Sequence, residues 1–173
     1  MFSSEFMEEM TIEMLQHMSF LETWNLIPPE KVPPEEIIFG NKFVFSVKSD
    51  NGQPIRKARF VQLGNKDKTS TKEETTSTVA SIRTIYIQII EFLHDPSSEA
   101  YIRNWDFTNA YGTAKRMRPV YLKQHRLFMV EGKEEWIMEL DKGLQGGKPA
   151  GRGFQMYSKN VLVNHNKFKQ CPL

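Results

Sequence analysis

Apolar residues recur at three- and four-residue spacing near the start of the chain. Met7, Met10, Met14, Met18 and Leu21 line one side of a helix predicted over residues 5–21. Glu5, Glu8 and Glu9 suit the positive end of its dipole, and the methionine stripe reads as a packing face. The segment IPPEKVPPEE (27–36) is too proline-rich for regular structure and acts as a spacer. Past it the period drops to two. NKFVFSVK (41–48) puts Phe43, Phe45 and Val47 on one face, SDNGQP (49–54) supplies an Asn-Gly turn, and IRKARFVQL (55–63) returns as the partner strand of a hairpin.

A polar loop rich in Thr and Lys (65–76) leads to a second helix, capped by Ser77 or Thr78. Its stripe is Ile82, Ile85, Tyr86, Ile89 and Leu93, and His94-Asp95-Pro96 stops it. A strand at 101–107, a short turn or helix at 108–114, and short strands at 120–123, 126–130 and 135–140 follow. GLQGGKPAGRG (143–153) leads into a last helix whose apolar positions are Phe154, Tyr157, Val161 and Leu162. The predicted class is α+β, without internal repeats. Residues 1–36 form an N-terminal helix and spacer, and 37–173 form the main domain.

Composition narrows this picture only a little. With 173 residues and 39% hydrophobic content, the chain suits one soluble domain or part of a larger one. No apolar run approaches bilayer length, so no membrane partner is expected. The start, MFSSEFMEEM, lacks the basic region of a secretory signal, and Cys171 has no second cysteine to pair with. Both point to an intracellular location, cytoplasmic or nuclear. There is no Cys/His cluster with zinc-ligand spacing. A net charge of +2 excludes nothing, so the placement of charge matters more. Basic residues gather at Arg56, Lys57 and Arg59, and again at Arg116, Arg118, Lys123 and Arg126.

Period two places Lys57 and Arg59 on the same face of the returning strand. That is either a solvated charged face or a pair of cations meeting a polyanion such as a triphosphate. Within IRNWDFTNAYG (102–112), Asp106 is a lone acid after an aromatic run and before a small-residue turn. On its own it reads as a solvated turn or a helix cap.

Five short blocks change these readings. ETWNLIPP (22–29), KFVFSVKSDNGQPIRKARFVQLG (42–64), ETTSTVASIR (74–83), WDFTNAYG with VYLKQ (105–112 and 120–124) and ELDKGLQGGKPAGRGF (139–154) occur in this order. Together they resemble the reverse transcriptase of copia-type LTR retrotransposons. The second block is similar to the family's KWVFKVK…YKARLVAKG hairpin, and the last to KLKKSLYGLKQAPRAW. The resemblance implies a right-hand polymerase fold, here a fingers hairpin with the first part of a palm. It implies that Asp106 is a catalytic carboxylate and a ligand for magnesium. It implies that Lys57 and Arg59 hold the phosphates of an incoming deoxynucleotide, and that Tyr111 screens its sugar. Gly146 and Lys148 match the segment that approaches the nucleotide and the templating pair, while Lys123 and Arg126 are candidates for the nucleic-acid backbone. The implied partners are an RNA or DNA template-primer, a deoxynucleotide, and the remainder of a Pol polyprotein.

Departures from the pattern qualify the activity. Two-metal phosphoryl transfer needs several converging carboxylates, and the family supplies two on a later Asp-Asp hairpin. No Asp-Asp pair occurs in this sequence, which reaches FKQCPL (168–173) before that hairpin. Glu139 and Asp141 have no metal-binding counterpart in the family, and Pro149 replaces a glutamine. The expected molecule is a truncated polymerase fragment, inactive alone. The alternatives are a non-catalytic module that binds nucleic acid or polyprotein, and a poorly folding remnant.

Overall fold

The computed structural model describes residues 4–68, 75–77, 82–94 and 106–166. It opens with helix α1 (Met7–Leu15), which continues as a wider π-type turn over Gln16–Phe20. The predicted methionine stripe is buried at its centre, Met10 and Met14, and exposed at Met7 and Met18. Strand β1 (Trp24–Ile27) follows, then a single 3-10 turn at Pro29–Lys31 among the prolines, and β2 (Ile38–Phe39).

Strands β3 (Asn41–Asp50) and β4 (Gln53–Gln62) form the predicted hairpin, paired from Asn41↔Gln62 to Asp50↔Gln53. Asn51 and Gly52 both have positive φ, 50° and 80°, which is the backbone that matches the twist of a two-residue hairpin turn. Phe43 and Phe60 face each other in the core, but Phe45 and Val47 are exposed. The apolar alternation runs past the core because the distal half of a two-stranded ribbon has no layer to cover it. The outer edge of β4 is closed near its end. The Phe60 N–H donates to the Glu13 carboxylate (3.1 Å), and the Gln62 N–H donates to the Gln145 carbonyl (2.8 Å).

Helix α2 (Ile82–His94) forms as its periodicity predicts, yet none of its side chains is buried. Its capping position and the polar loop before it lie partly outside the described residues, as does most of the strand predicted at 101–107. Asp106 and Phe107 belong to no regular element. Next come a one-turn helix α3 (Ala110–Thr113), strands β5 (Lys115–Lys123) and β6 (Ile137–Lys142), and helix α4 (Ala150–Lys159) with a π-type extension to His165. No helix among the described residues is long and apolar enough to cross a membrane.

A second sheet has the order β1-β6-β5-β2, with only β2 parallel to its neighbour. One core joins α1, the hairpin and this sheet through Met10, Trp24, Phe60, Leu122, Leu140 and Leu144. Residues 1–36, read from sequence as helix and spacer, therefore contribute a strand and core side chains to the rest. The class is mixed α and β, as predicted.

Residues 126–130 are not a strand. The buried Gln124 amide donates to the carbonyls of Lys133 (2.5 Å) and Trp136 (3.1 Å) and accepts from Val130 N–H (3.0 Å). These bonds satisfy the loop from the inside and replace a ladder. Its first turn places His125 edge-on against Phe43, 5.0 Å between centroids. Burial, and then Arg126, lower the His125 pKa below its ordinary value. The unfolded chain thus binds the proton more readily, so stability is full above about pH 6.5 and falls as pH drops through the folded pKa. His125→Phe is expected to flatten this slope. A thermal-melt series from pH 7.5 to 5 should show the wild-type midpoint falling further than the variant's.

Candidate nucleotide cleft

A cleft of about 600 Å³ lies beside β4. Glu9, Ile12 and Glu13 of α1 form one wall, Arg56 to Arg59 a second, and Asp106 to Gly112 a third, with Gly143 and Gln145 closing it. Four residues singled out from sequence, Lys57, Arg59, Asp106 and Tyr111, thus meet in one space although they lie up to 54 positions apart.

Local geometry explains how they arrive there. Strand parity points Lys57 and Arg59 to the face of β4 opposite Ala58 and Phe60, which are buried. Both cations are exposed, and neither is in an ion pair among the described residues. Arg56, on the other face, lies over the Phe6 ring at 5.9 Å. The turn from Asp106 to Ala114 is held by Asn109 in the left-handed conformation (φ 51°), whose carbonyl accepts from Gly112 N–H at 2.9 Å. A Cβ at Gly112 would sit 2.7 Å from a Leu21 methyl, and one at Gly143 would sit 2.5 Å from the Tyr111 carbonyl. Two glycines therefore allow the turn to pack between α1 and the segment after β6. Phe107 sits edge-on to Phe154 of α4, at 5.2 Å.

Gly146 and Lys148 do not line this cleft. Gly146 has φ 84°, and a Cβ there would approach the Gln62 carbonyl to 2.3 Å, so its close neighbour is the end of β4. Lys148 donates its ammonium to the Asp67 carbonyl. Lys123 and Arg126 are exposed and lie outside the cleft lining.

Glu9 and Glu13 are cleft residues that the sequence reading missed. Their i, i+4 spacing beside the methionine stripe was the available signal, but only packing shows which wall α1 occupies. Glu13 is engaged by Phe60 N–H and faces His17 at 3.5 Å. Among the described residues no group of three His, Cys, Asp or Glu side chains could hold a metal ion. Glu139 and Asp141 are paired elsewhere, with the Tyr121 hydroxyl (3.3 Å) and the Asn25 amide (2.6 Å). The donor set among the described residues does not fit a two-metal centre.

Residues 21–173 match the family described as reverse transcriptase (RNA-dependent DNA polymerase). The chain is 30% identical over 145 residues to the retrovirus-related Pol polyprotein from transposon RE1 of Arabidopsis thaliana. It is 29% identical over 144 residues to the corresponding polyprotein from transposon RE2 of the same plant. Each alignment covers 82% of this chain and 10% of the relative, so the chain spans about a tenth of the length of these relatives. No solved structure gives a significant match.

Proposed function

Because the chain belongs to the reverse transcriptase (RNA-dependent DNA polymerase) family, we propose that its cleft is the nucleotide-receiving part of a right-hand polymerase. The reading of the sequence as copia-type is borne out by its relatives among transposon Pol polyproteins. In this proposal the β3–β4 hairpin is the fingers and the segment at Asp106 opens the palm. Lys57 and Arg59 grip the phosphates of a deoxynucleotide, and Tyr111 bounds the space for its sugar. Asp106 is one carboxylate of a magnesium-binding set that needs further acids from elsewhere in a Pol polyprotein. The supporting observation is the convergence on one cleft of two cations without an ion pair among the described residues, an exposed carboxylate and an aromatic ring.

Asp106 is the one carboxylate this proposal assigns to metal, and one cannot hold two metal ions, so the chain alone binds nucleotide without polymerising it. The test is primer extension with the purified chain, a template-primer, deoxynucleotides and magnesium. No extension is expected. Extension that Asp106→Asn abolishes would overturn the claim of inactivity and keep the assignment of Asp106.

A second reading, a non-catalytic module that binds nucleic acid, is favoured by two cations without an ion pair and by the absence of a metal-holding acid group among the described residues. It predicts steeply salt-dependent binding of RNA or DNA and no preference for triphosphates over oligonucleotides.

A further inference from the structure

On the far side of Gly143 from the cleft, the side chain of Arg116 in β5 is largely withdrawn from solvent. None of its three guanidinium nitrogens has a hydrogen-bond partner. Gln62 at the end of β4 is 2% exposed, and neither atom of its amide is partnered. The two groups face the same point: a Cβ on Gly147 would lie 2.6 Å from Gln62 Oε1 and 3.3 Å from Arg116 Nη1. Lys115, Arg118 and the first turn of α4, at Pro149, Ala150 and Gly153, surround a small opening of about 20 Å³ at Arg116. The nearby carboxylate, Asp67, pairs with Arg118 at 3.7 Å.

A cation withdrawn from water with no partner is costly, and so is a buried amide with none. The positive end of a ten-residue helix adds to the field of Lys115, Arg116 and Arg118. Burial and the neighbouring Arg118 lower the Arg116 pKa to about 10, against the opposite pull of Asp67. At about 10 it still leaves the guanidinium protonated at neutral pH.

We propose that Arg116, with the N-terminus of α4, forms a second oxyanion site that takes one phosphate group. The narrow opening admits a single oxygen, which an isolated phosphate or a phosphodiester in a strand could present equally. An anion there would complete the guanidinium's hydrogen bonds and offset the charge of Lys115. This site is independent of the Lys57–Arg59 cleft.

Thermal melts of the full chain with inorganic phosphate, against chloride at equal ionic strength, test the proposal. Phosphate is expected to raise the wild-type midpoint saturably by about 3 °C. Arg116→Met should lose that rise, whereas Arg56→Ala, which removes a charge that lies over the Phe6 ring, should keep it, which separates this site from a general loss of positive charge. If Arg116→Met does not fold, Arg116→Lys serves: it should show a weaker rise, because an ammonium lacks the forked donor geometry. Fluorescence anisotropy with a single-stranded DNA oligonucleotide then separates the sources. An affinity loss of about tenfold in the variant, with the salt slope reduced by about one, identifies a strand phosphate. A lost melting response with unchanged oligonucleotide affinity identifies free phosphate. No phosphate response in the wild type, or an equal response in Arg116→Met, would overturn the site.

Discussion

Replacing Lys57 and Arg59 together by alanine is expected to weaken deoxynucleoside triphosphate binding by about a hundredfold. Each single change should cost about tenfold, close to 1.4 kcal/mol, at the low end for a charge-assisted hydrogen bond because both groups face solvent. Strand geometry underlies this expectation. Residues two apart on one face are separated by roughly 7 Å, a span that lets the pair meet separate phosphates of one triphosphate. Neither side chain is in an ion pair among the described residues, so binding need not break an earlier contact. Arg56→Ala is the matched control. It removes the same charge from the same strand, but from the face that meets Phe6, and should change affinity little. All three residues are exposed, so folding stability should stay within about 0.5 kcal/mol of wild type. Titration calorimetry with a triphosphate measures the affinities. A double variant within twofold of wild type would remove the phosphate role from this strand.

The features legible in the sequence were those fixed by local chemistry. Asn51-Gly52 demands positive φ at both positions, so the hairpin and its register followed from one dipeptide and two alternating runs. The parity of Lys57 and Arg59 followed from the same register. Asp106 and Tyr111 gained meaning from the resemblance alone, and the cleft brings them together with the cations. What stayed hidden depends on tertiary neighbours. RLFMV has strand-like composition, but one buried side chain, Gln124, supplies hydrogen-bond partners that a ladder would otherwise provide. Periodicity identified the packing face of α1 without showing that Glu9 and Glu13 would border the basic strand. The stripe on α2 predicted a helix correctly but did not ensure cover for it among the described residues.

Gly146 shows most clearly why a glycine's neighbour must be seen. By resemblance its missing side chain makes room for a templating pair. In the fold its backbone meets Gln62, and a Cβ on Gly64 would in turn lie 2.2 Å from the Gly146 carbonyl. The two glycines interlock the end of the hairpin with the loop before α4, and the bond from Gln62 N–H to the Gln145 carbonyl fastens the contact. Gly146→Ala is therefore expected to cost about 3 kcal/mol or more: about 1 for the left-handed backbone and the rest for pushing two backbone segments apart. Gly132→Ala separates these contributions. Gly132 has φ 75°, and a Cβ added there would meet nothing within 4 Å, so it should lose only the conformational part, about 1 kcal/mol. Urea unfolding of the two variants measures the difference directly. Equal losses would dissolve the interlock. If Gly146→Ala then also weakened nucleotide binding while Gly132→Ala did not, the glycine would belong to the ligand, as the resemblance implies.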